Sequence, residues 1–271
     1  MPMWAETMSG NLAGTCAALA LVLSLGTCAQ AEPSLDAIRT RGLIRIGVKV
    51  DAPPFGFLDG HGRPVGFEID LAHFLARVLF DDDSRAQLVP VTTATRLEAL
   101  QAGRVDLLIA TMTATEERRS QAELSEPYFR SGSLMLVAQG SPLERLGDAS
   151  GRRIAVIKGS VQERDVVELQ AQAFVILIGS VAEGARAVKS RQADAFVYDD
   201  VVLLTLALHD PVFHVAGLPV RPRPYVAAAR KGDTDLIRWV NGWLARMRRD
   251  GSHGVMWRRY FGPFESHLVG D

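Results

Sequence analysis

Hydroxyl and guanidinium side chains follow directly after one strongly apolar segment of the chain. Residues 105–110 (VDLLIA) have the length and composition of a buried strand, and Thr111, Thr113 and Arg118 come next. Ligands bind at the carboxyl ends of strands in open α/β sheets, and a guanidinium there can hold a carboxylate through two parallel hydrogen bonds. The spacing therefore favours a carboxylate-binding site, with a solvated Arg118 on a helix surface as the alternative.

Two other segments place polar groups at predicted strand ends. Residues 156–164 (VIKGSVQER) predict a strand, a glycine turn and a helix whose first backbone N–H groups would suit an anion. Ser160 could equally serve only as the N-cap of that helix. Residues 196–200 (FVYDD) put Asp199 and Asp200 at another strand end, where a carboxylate can pair with an ammonium group or cap the next helix.

Val- and Ile-rich runs alternate with amphipathic helical stretches, which predicts an α/β fold. Residues 134–139 (LMLVAQ) leave a first set of these runs, and residues 224–230 (PYVAAAR) return to it. We therefore expect two lobes, each a mixed sheet flanked by helices. They are lobe 1 at residues 35–135 plus 224–271, lobe 2 at 139–220, and hinge segments at 134–139 and 220–226.

The N-terminal segment differs from the rest of the chain. Residues 11–26 are almost wholly small or apolar. This segment is shorter than the ~20 residues that a membrane-spanning helix needs. The small-x-small pattern at residues 29–31 follows, so residues 1–31 are predicted to be a secretory signal peptide and the protein to be periplasmic. The usual basic residues at the start are missing. Lipid attachment at Cys28 is the alternative, and the mature chain would otherwise contain no cysteine.

Composition argues against several classes of function. The formal net charge is −1, so no basic excess is available for a nucleic acid. The six histidines have no metal-ligand spacing, and the acidic run at residues 81–83 is typical of a solvated loop. We therefore predict no metal, no cofactor and no nucleic-acid partner.

The segments above, with others, resemble one protein family along nearly the whole predicted mature chain. The matching residues are 52–57 (APPFGF), 65–72 (VGFEIDLA), 100–119 (LQAGRVDLLIATMTATEERR), 125–129 (SEPYF), 156–163 (VIKGSVQE), 194–200 (DAFVYDD), 229–233 (ARKGD) and 250–262 (DGSHGVMWRRYFG). The chain resembles the type-3 bacterial extracellular solute-binding proteins, the polar amino-acid-binding components of ABC importers. The resemblance implies a type II-like periplasmic-binding-protein fold and a monomer. Its function would be to capture a small zwitterion, an amino acid, by cleft closure and to deliver it to an ABC permease.

The resemblance also implies roles for individual residues. Arg118 occupies the position that binds the ligand α-carboxylate, with Thr113 beside it. Thr111 matches a hydroxyl position at the same strand end. Asp199 corresponds to the carboxylate that receives the α-ammonium group, and Ser160 with its neighbouring amides matches a contact from the second lobe.

The chain departs from the family pattern where the ligand side chain would lie. Ala52 stands where an aromatic ring is usual, which leaves Phe55 as a nearby aromatic candidate. Thr93 falls near a position that is often aromatic or apolar, and Val161 stands where many members have threonine. Arg96 aligns with an arginine that meets the distal carboxylate in acidic-amino-acid binders, although a surface role is equally compatible with the sequence.

Two other functions share the same fold. Some relatives are periplasmic lyases that act on cyclohexadienyl substrates, and Glu163 and Asp200 could be nominated as their acid or base. A soluble subunit that presents a ligand to a sensor is the other alternative. Since Arg118 and Asp199 already form an amino-acid cradle, we predict no catalytic residue.

Overall fold

Helices and strands alternate along the part of the chain that the computed structural model describes, residues 35–267. The helices are α1 (Leu35–Arg41), α2 (Phe67–Phe80), α3 (Arg96–Gln101), α4 (Glu116–Gln121), α5 (Val161–Leu169), α6 (Val181–Lys189), α7 (Asp200–His209), α8 (Thr234–Arg249) and α9 (Ser252–Phe261). The strands are β1 (Ile44–Val48), β2 (Asp51–Ala52), β3 (Gly56–Leu58), β4 (Pro64–Val65), β5 (Ala86–Pro90), β6 (Leu107–Ile109), β7 (Ala122–Ala138), β8 (Arg153–Ile157), β9 (Phe174–Ile178), β10 (Ala195–Asp199) and β11 (Phe213–Arg230).

Eight strands form one mixed sheet in the order β5-β1-β6-β11-β7-β10-β8-β9. At one end, β1 runs parallel to β5 and β6, and at the other end β8 runs parallel to β9 and β10. Between the two parallel groups lie the long antiparallel strands β7 and β11. The remaining three strands, β2, β3 and β4, form a small antiparallel sheet. The predicted two-lobed α/β fold is confirmed, although the two sheets expected for the lobes are continuous with each other through β7 and β11.

The long strands β7 and β11 change partners along their length. β11 pairs with β6 through Ala228 and Ala229, whereas β7 pairs with β10 through residues 133–136. The pairing of the two long strands is irregular between Ala216 and Ala228, and Arg221 has a positive φ of 51°. Residues 134–136, in the predicted hinge segment 134–139, thus already pair with β10.

The core of the first group is rich in aromatic rings. Phe55, Phe67, Phe129, Tyr225 and Phe261 pack with ring-centroid distances between 4.5 and 6.4 Å. Edge-to-face and tilted pairs of this kind each contribute about 0.5–1.5 kcal/mol beyond their buried area. The cluster fixes α2 and α9 against the strands that lead to the cleft.

The second group has its own apolar core. Met135, Val137, Ile154, Val156 and Val197 form its centre on one face of the sheet. Helix α6 covers the opposite face, with the buried side chains of Val181, Ala187 and Val188.

Residues 1–31, with both cysteines and the predicted signal peptide, lie outside the described residues. Within residues 35–267, no helix is both long enough and apolar enough to span a membrane.

Candidate ligand-binding cleft

Helix α4 and the start of α5 both line a cleft of about 530 Å³. The first group of strands contributes Thr93, Arg96 and Arg118 to its lining. The second group contributes Ser160 and Val161. Five of the ten residues predicted from the sequence therefore meet at one place.

Arg118 is a buried cation, with only 7% of its surface exposed. Its Nη1 donates to the Thr113 carbonyl at 2.8 Å, and its Nη2 donates across the cleft to the Gly159 carbonyl at 3.1 Å. No carboxylate of the described residues lies within ion-pairing distance of this guanidinium. Burial, reinforced by repulsion from Arg96, lowers the pKa of Arg118 to about 9. The alternative of a solvated Arg118 on a helix surface is therefore wrong.

Thr111 and Thr113 are both buried, and Thr113 is in contact with Arg118. Thr111 has a φ of 47°, in the left-handed region that β-branched residues rarely adopt, and its N–H donates to a Glu68 carboxylate oxygen at 2.7 Å. Thr113 forms an antiparallel bridge with Tyr225. The chain after β6 is thus held in one defined path to α4, where the Thr115 hydroxyl caps the helix by accepting from the Arg118 N–H.

Arg96 is not a surface residue, since only 3% of it is exposed. Its Nη1 donates to the carbonyls of Ala110 at 2.5 Å and Thr111 at 2.9 Å. Among the residues that the structure describes, no carboxylate forms an ion pair with it. The cleft therefore has two guanidinium groups held by neutral carbonyl oxygens.

Asp199 is the buried anion of the second group, with 5% of its surface exposed. It accepts a hydrogen bond of 2.8 Å from the Gln162 side chain. Burial raises the pKa of Asp199 to about 6, while the nearby Tyr225 hydroxyl and Gln162 act in the opposite direction. No cationic side chain within residues 35–267 forms an ion pair with it.

Asp200, next in sequence, has a different environment. Its carboxylate accepts from the Ser131 hydroxyl at 2.7 Å and from the backbone N–H groups of Gly132 and Val201 at 2.9 and 2.8 Å. These contacts tie the start of α7 to β7, so Asp200 is engaged in the fold.

The turn before α5 corrects one expectation. The Gly159 N–H donates to the Glu163 carboxylate at 2.9 Å, and the Ser160 N–H donates to the Ile157 carbonyl at 3.0 Å. These two amides are therefore occupied by the turn itself and are not free for an anion. The Ser160 hydroxyl instead is buried without a hydrogen-bond partner among the described residues, and it makes no N-cap contact.

Three further predicted residues concern the ligand side chain. The Thr93 hydroxyl accepts from Lys49 Nζ at 3.2 Å and lies 3.4 Å from the Tyr198 hydroxyl. Ala52 and Phe55 are fully buried and do not line the cleft. The Phe55 ring belongs to the aromatic core instead. The rings that surround it there come from distant parts of the chain.

Sequence reasoning missed several charged and polar side chains behind the cleft. Lys49 is fully buried, its Nζ lies 2.8 Å from Asp51, and burial lowers its pKa. Glu68, Gln162 and Tyr198 are also buried. The available signal was the isolated charge of Lys49 and of Glu68 within otherwise apolar segments.

The acidic run at residues 81–83 is engaged at the surface. Asp82 accepts from Ser84 and Arg85, and Asp83 pairs with Arg77. Residues 35–267 contain no group of three or more His, Cys, Asp or Glu side chains that could hold a metal ion.

Residues 44–263 match the bacterial extracellular solute-binding proteins, family 3. The chain belongs to this family. The glutamine-binding protein GlnH of an ABC transporter from Bacillus subtilis (strain 168) is 34% identical over 233 residues, which cover 84% of this chain and 85% of that protein. The resemblance inferred from the sequence is confirmed.

Solved structures give the same fold. The solute receptor for L-cysteine of Neisseria gonorrhoeae superposes with a TM-score of 0.82 at 28% identity, covering 87% of this chain and 96% of that one. The ancestral amino acid-binding protein AncCDT-1, a precursor of cyclohexadienyl dehydratase, superposes with a TM-score of 0.78 at 33% identity, covering 84% and 99%. The relatives are therefore binding proteins for amino acids, and one of them lies on the path to an enzyme.

Proposed function

We propose that this solute-binding protein captures a free α-amino acid in the cleft and delivers it to the permease of an ABC importer. The observation that carries the proposal is the pair of buried charges, Arg118 and Asp199. The Asp199 carboxylate acts through space to raise the pKa of Arg118, yet the two side chains form no ion pair. A zwitterion would supply both missing partners, its carboxylate to Arg118 and its ammonium group to Asp199.

The surrounding groups fit the same ligand. The Thr113 and Thr111 side chains lie on the strand end beside Arg118, and the Ser160 hydroxyl offers a free hydrogen bond from the other side. Because the two charges of the ligand are met from two lobes, binding favours the closed state. Closure buries these charges, which is tolerable because each is paired.

The division into lobes is part of the proposal. Residues 35–135 plus 224–271 form lobe 1, residues 139–220 form lobe 2, and movement occurs at residues 134–139 and 220–226. The irregular pairing and the positive φ of Arg221 support a bend in β11 near the second segment.

Ligand selectivity is assigned to the cleft residues that depart from the family pattern. Thr93, Arg96 and Val161 line the cleft and offer a hydroxyl, a cation and a small apolar surface. Among the described residues, Arg96 makes hydrogen bonds only through Nη1, so its other nitrogens can donate to an acceptor on the ligand. Glutamine and L-cysteine, the ligands named for two relatives, are first candidates.

The contacts of the two nominated catalytic residues favour binding without catalysis. Glu163 and Asp200, the nominated acid and base, both accept hydrogen bonds from backbone N–H groups. These contacts engage both carboxylates with the backbone of the fold. The protein would act in the periplasm as a monomer, exported by the segment at residues 1–31, with Cys28 as the alternative lipid anchor.

A thermal-shift screen tests the proposal. The mature protein, refolded to remove bound ligand, would be screened against the twenty amino acids, dicarboxylates and opines. A ligand at about 100 times its dissociation constant stabilises a fold by about 2.7 kcal/mol, which is easily measured. A shift with an amino acid supports the proposal. No shift with any amino acid, in protein that is folded, would contradict it, and consumption of a cyclohexadienyl substrate would establish a lyase instead.

A further inference from the structure

The Glu68 carboxylate lies directly behind the predicted ligand site and is completely buried. Its Oε1 accepts from the Thr111 backbone N–H at 2.7 Å and from the Tyr128 hydroxyl at 2.6 Å. Its Oε2 is buried without a hydrogen-bond partner among the described residues. A buried carboxylate with one unsatisfied oxygen is costly for the fold, so its presence requires a reason.

The reason lies in the backbone of Thr111. A non-glycine residue in the left-handed region is strained, and it persists only where its surroundings hold it. Here Glu68 binds the Thr111 N–H, and the Arg96 guanidinium binds the Thr111 carbonyl. The Thr111 backbone is therefore held between the Glu68 carboxylate and the Arg96 guanidinium. This pair of contacts, the Thr111 clamp, sets the positions of the Thr111 side chain and of Thr113.

The charged groups around Glu68 come from three elements. Arg96 approaches from α3, Lys49 from the end of β1, and the Tyr128 hydroxyl from β7. The two cations and the hydrogen bonds favour ionised Glu68, but burial is the largest effect and raises the pKa of Glu68 to about 7. Glu68 therefore changes its charge close to neutral pH.

We propose that Glu68 is a positioning residue of the ligand site, whose ionised carboxylate holds Thr111 in the conformation that binds the ligand. The inference rests on the proposed function for its effect on affinity. Its effect on Thr111 itself is independent of any ligand. Protonation of Glu68 replaces a charged acceptor by a neutral one and removes the anion that balances Arg96, so the clamp weakens.

The pH dependence of binding follows from this role. If the ligand prefers ionised Glu68, binding releases a proton, and affinity falls as the pH decreases through 7. We expect about tenfold weaker binding at pH 6 than at pH 8. The pKa of Asp199 is lower, at about 6, so its contribution to the pH dependence of binding appears at more acidic pH.

Three variants separate charge from packing. Glu68→Gln keeps the size and one acceptor oxygen but loses the charge. Tyr128→Phe removes the second hydrogen bond to Oε1. Glu98→Gln on α3, whose side chain is 69% exposed, is the matched control. We expect Glu68→Gln to bind about tenfold more weakly than wild type at pH 8 and to show no change around pH 7.

Calorimetry and hydrogen exchange provide the test. An amino acid found in the thermal-shift screen is titrated in two buffers of different ionisation enthalpy at pH 7. Wild type and Glu98→Gln should release about half a proton on binding, and Glu68→Gln none from this group. Separately, the Thr111 amide of the ligand-free protein should exchange faster in Glu68→Gln than in wild type at pH 8.

The two proposals fail differently. Unchanged Thr111 exchange in folded Glu68→Gln overturns the positioning role, whatever the ligand is. Equal affinity, pH profile and proton release in Glu68→Gln and wild type also overturn it, while leaving amino-acid binding intact. Absence of amino-acid binding by wild type sinks the proposed function alone, because the exchange measurement still decides whether Glu68 holds Thr111.

Discussion

Arg118 lines the cleft, Asp199 is buried without lining it, and no ion pair joins the two side chains. The Arg118 guanidinium donates to two carbonyl oxygens, and the Asp199 carboxylate accepts from an amide group. Burial moves both pKa values towards neutrality, which lowers that of Arg118 and raises that of Asp199. Both groups are therefore less stable in the ionised form than in water, and a zwitterionic ligand would relieve both.

Arg118→Ala should remove most of the affinity for an amino acid. The ligand carboxylate would then be buried without its charge partner, which typically costs about 2–5 kcal/mol. The affinity of Arg118→Lys should lie between those of wild type and Arg118→Ala. An ammonium group keeps the charge but cannot make the paired hydrogen bonds. Titration calorimetry measures both. Arg119→Ala is the control, since its side chain is 53% exposed on the same helix. Near-normal affinity of Arg118→Ala would refute the assignment of the carboxylate site.

Asp199→Asn should weaken amino-acid binding and flatten its dependence on acidic pH. In the wild type, the ammonium group of the ligand prefers the ionised carboxylate, whose pKa without ligand is about 6. Affinity should therefore decrease below pH 6, by about tenfold for each pH unit. The same titration of Asp199→Asn should lack this decrease. A decrease of equal size in both proteins would assign it to another group.

The same substitution should stabilise the ligand-free protein at pH 8. The pKa of Asp199 is higher in the fold than the usual 3.8, so the folded state binds this proton more tightly than the unfolded chain. Ionisation of Asp199 therefore destabilises the folded wild type. This destabilisation develops between pH 4 and pH 6 and persists above pH 6. In urea unfolding at pH 8, we expect the free energy of unfolding of Asp199→Asn to exceed that of wild type by about 3 kcal/mol. At pH 4 we expect little difference.

Asp194→Asn should change the stability at pH 8 in the opposite direction, and it serves as the comparison for Asp199→Asn. Hydrogen bonds from Arg153 hold the pKa of Asp194 below its usual value, so its ionised form stabilises the fold above the unfolded pKa. Asp194→Asn should therefore be less stable than wild type at pH 8. If Asp199→Asn were destabilised in the same way, Asp199 would already have a cationic partner in the ligand-free state.

The sequence predicted the part of the cleft that depends on local order along the chain. An apolar run that ends before Thr111, Thr113 and Arg118 places those residues at the end of β6, because a buried strand must end where polar residues begin. The glycine turn before Ser160 and the carboxylate after the apolar run of β10 follow the same logic. These positions need no knowledge of distant contacts.

Residues whose role depends on distant partners were not predictable. Glu68 has the position of an acidic residue at a helix start, which normally faces solvent, but its partners lie 43 and 60 residues away. Phe55 is near Ala52 in sequence, yet the rings of Phe129 and Phe261 draw it into the core. Strand β7 was expected only at its end, because its first half carries polar residues such as Glu123, Ser125 and Glu126.

A pair of helical glycines tests the packing that supports Asp199. Gly184 lies in α6, and a Cβ added there would be 2.7 Å from the ring of Phe196, which stacks on Tyr198 beside the cleft. Gly184→Ala should therefore force the ring to move and destabilise the protein by about 1–3 kcal/mol. Gly242 lies in α8, is exposed, and would place a Cβ with no neighbour within 4 Å. Gly242→Ala should stabilise the protein by about 1 kcal/mol, because alanine favours a helix over glycine. Urea unfolding of both variants measures the difference, and stabilisation by both would contradict the close contact between α6 and Phe196.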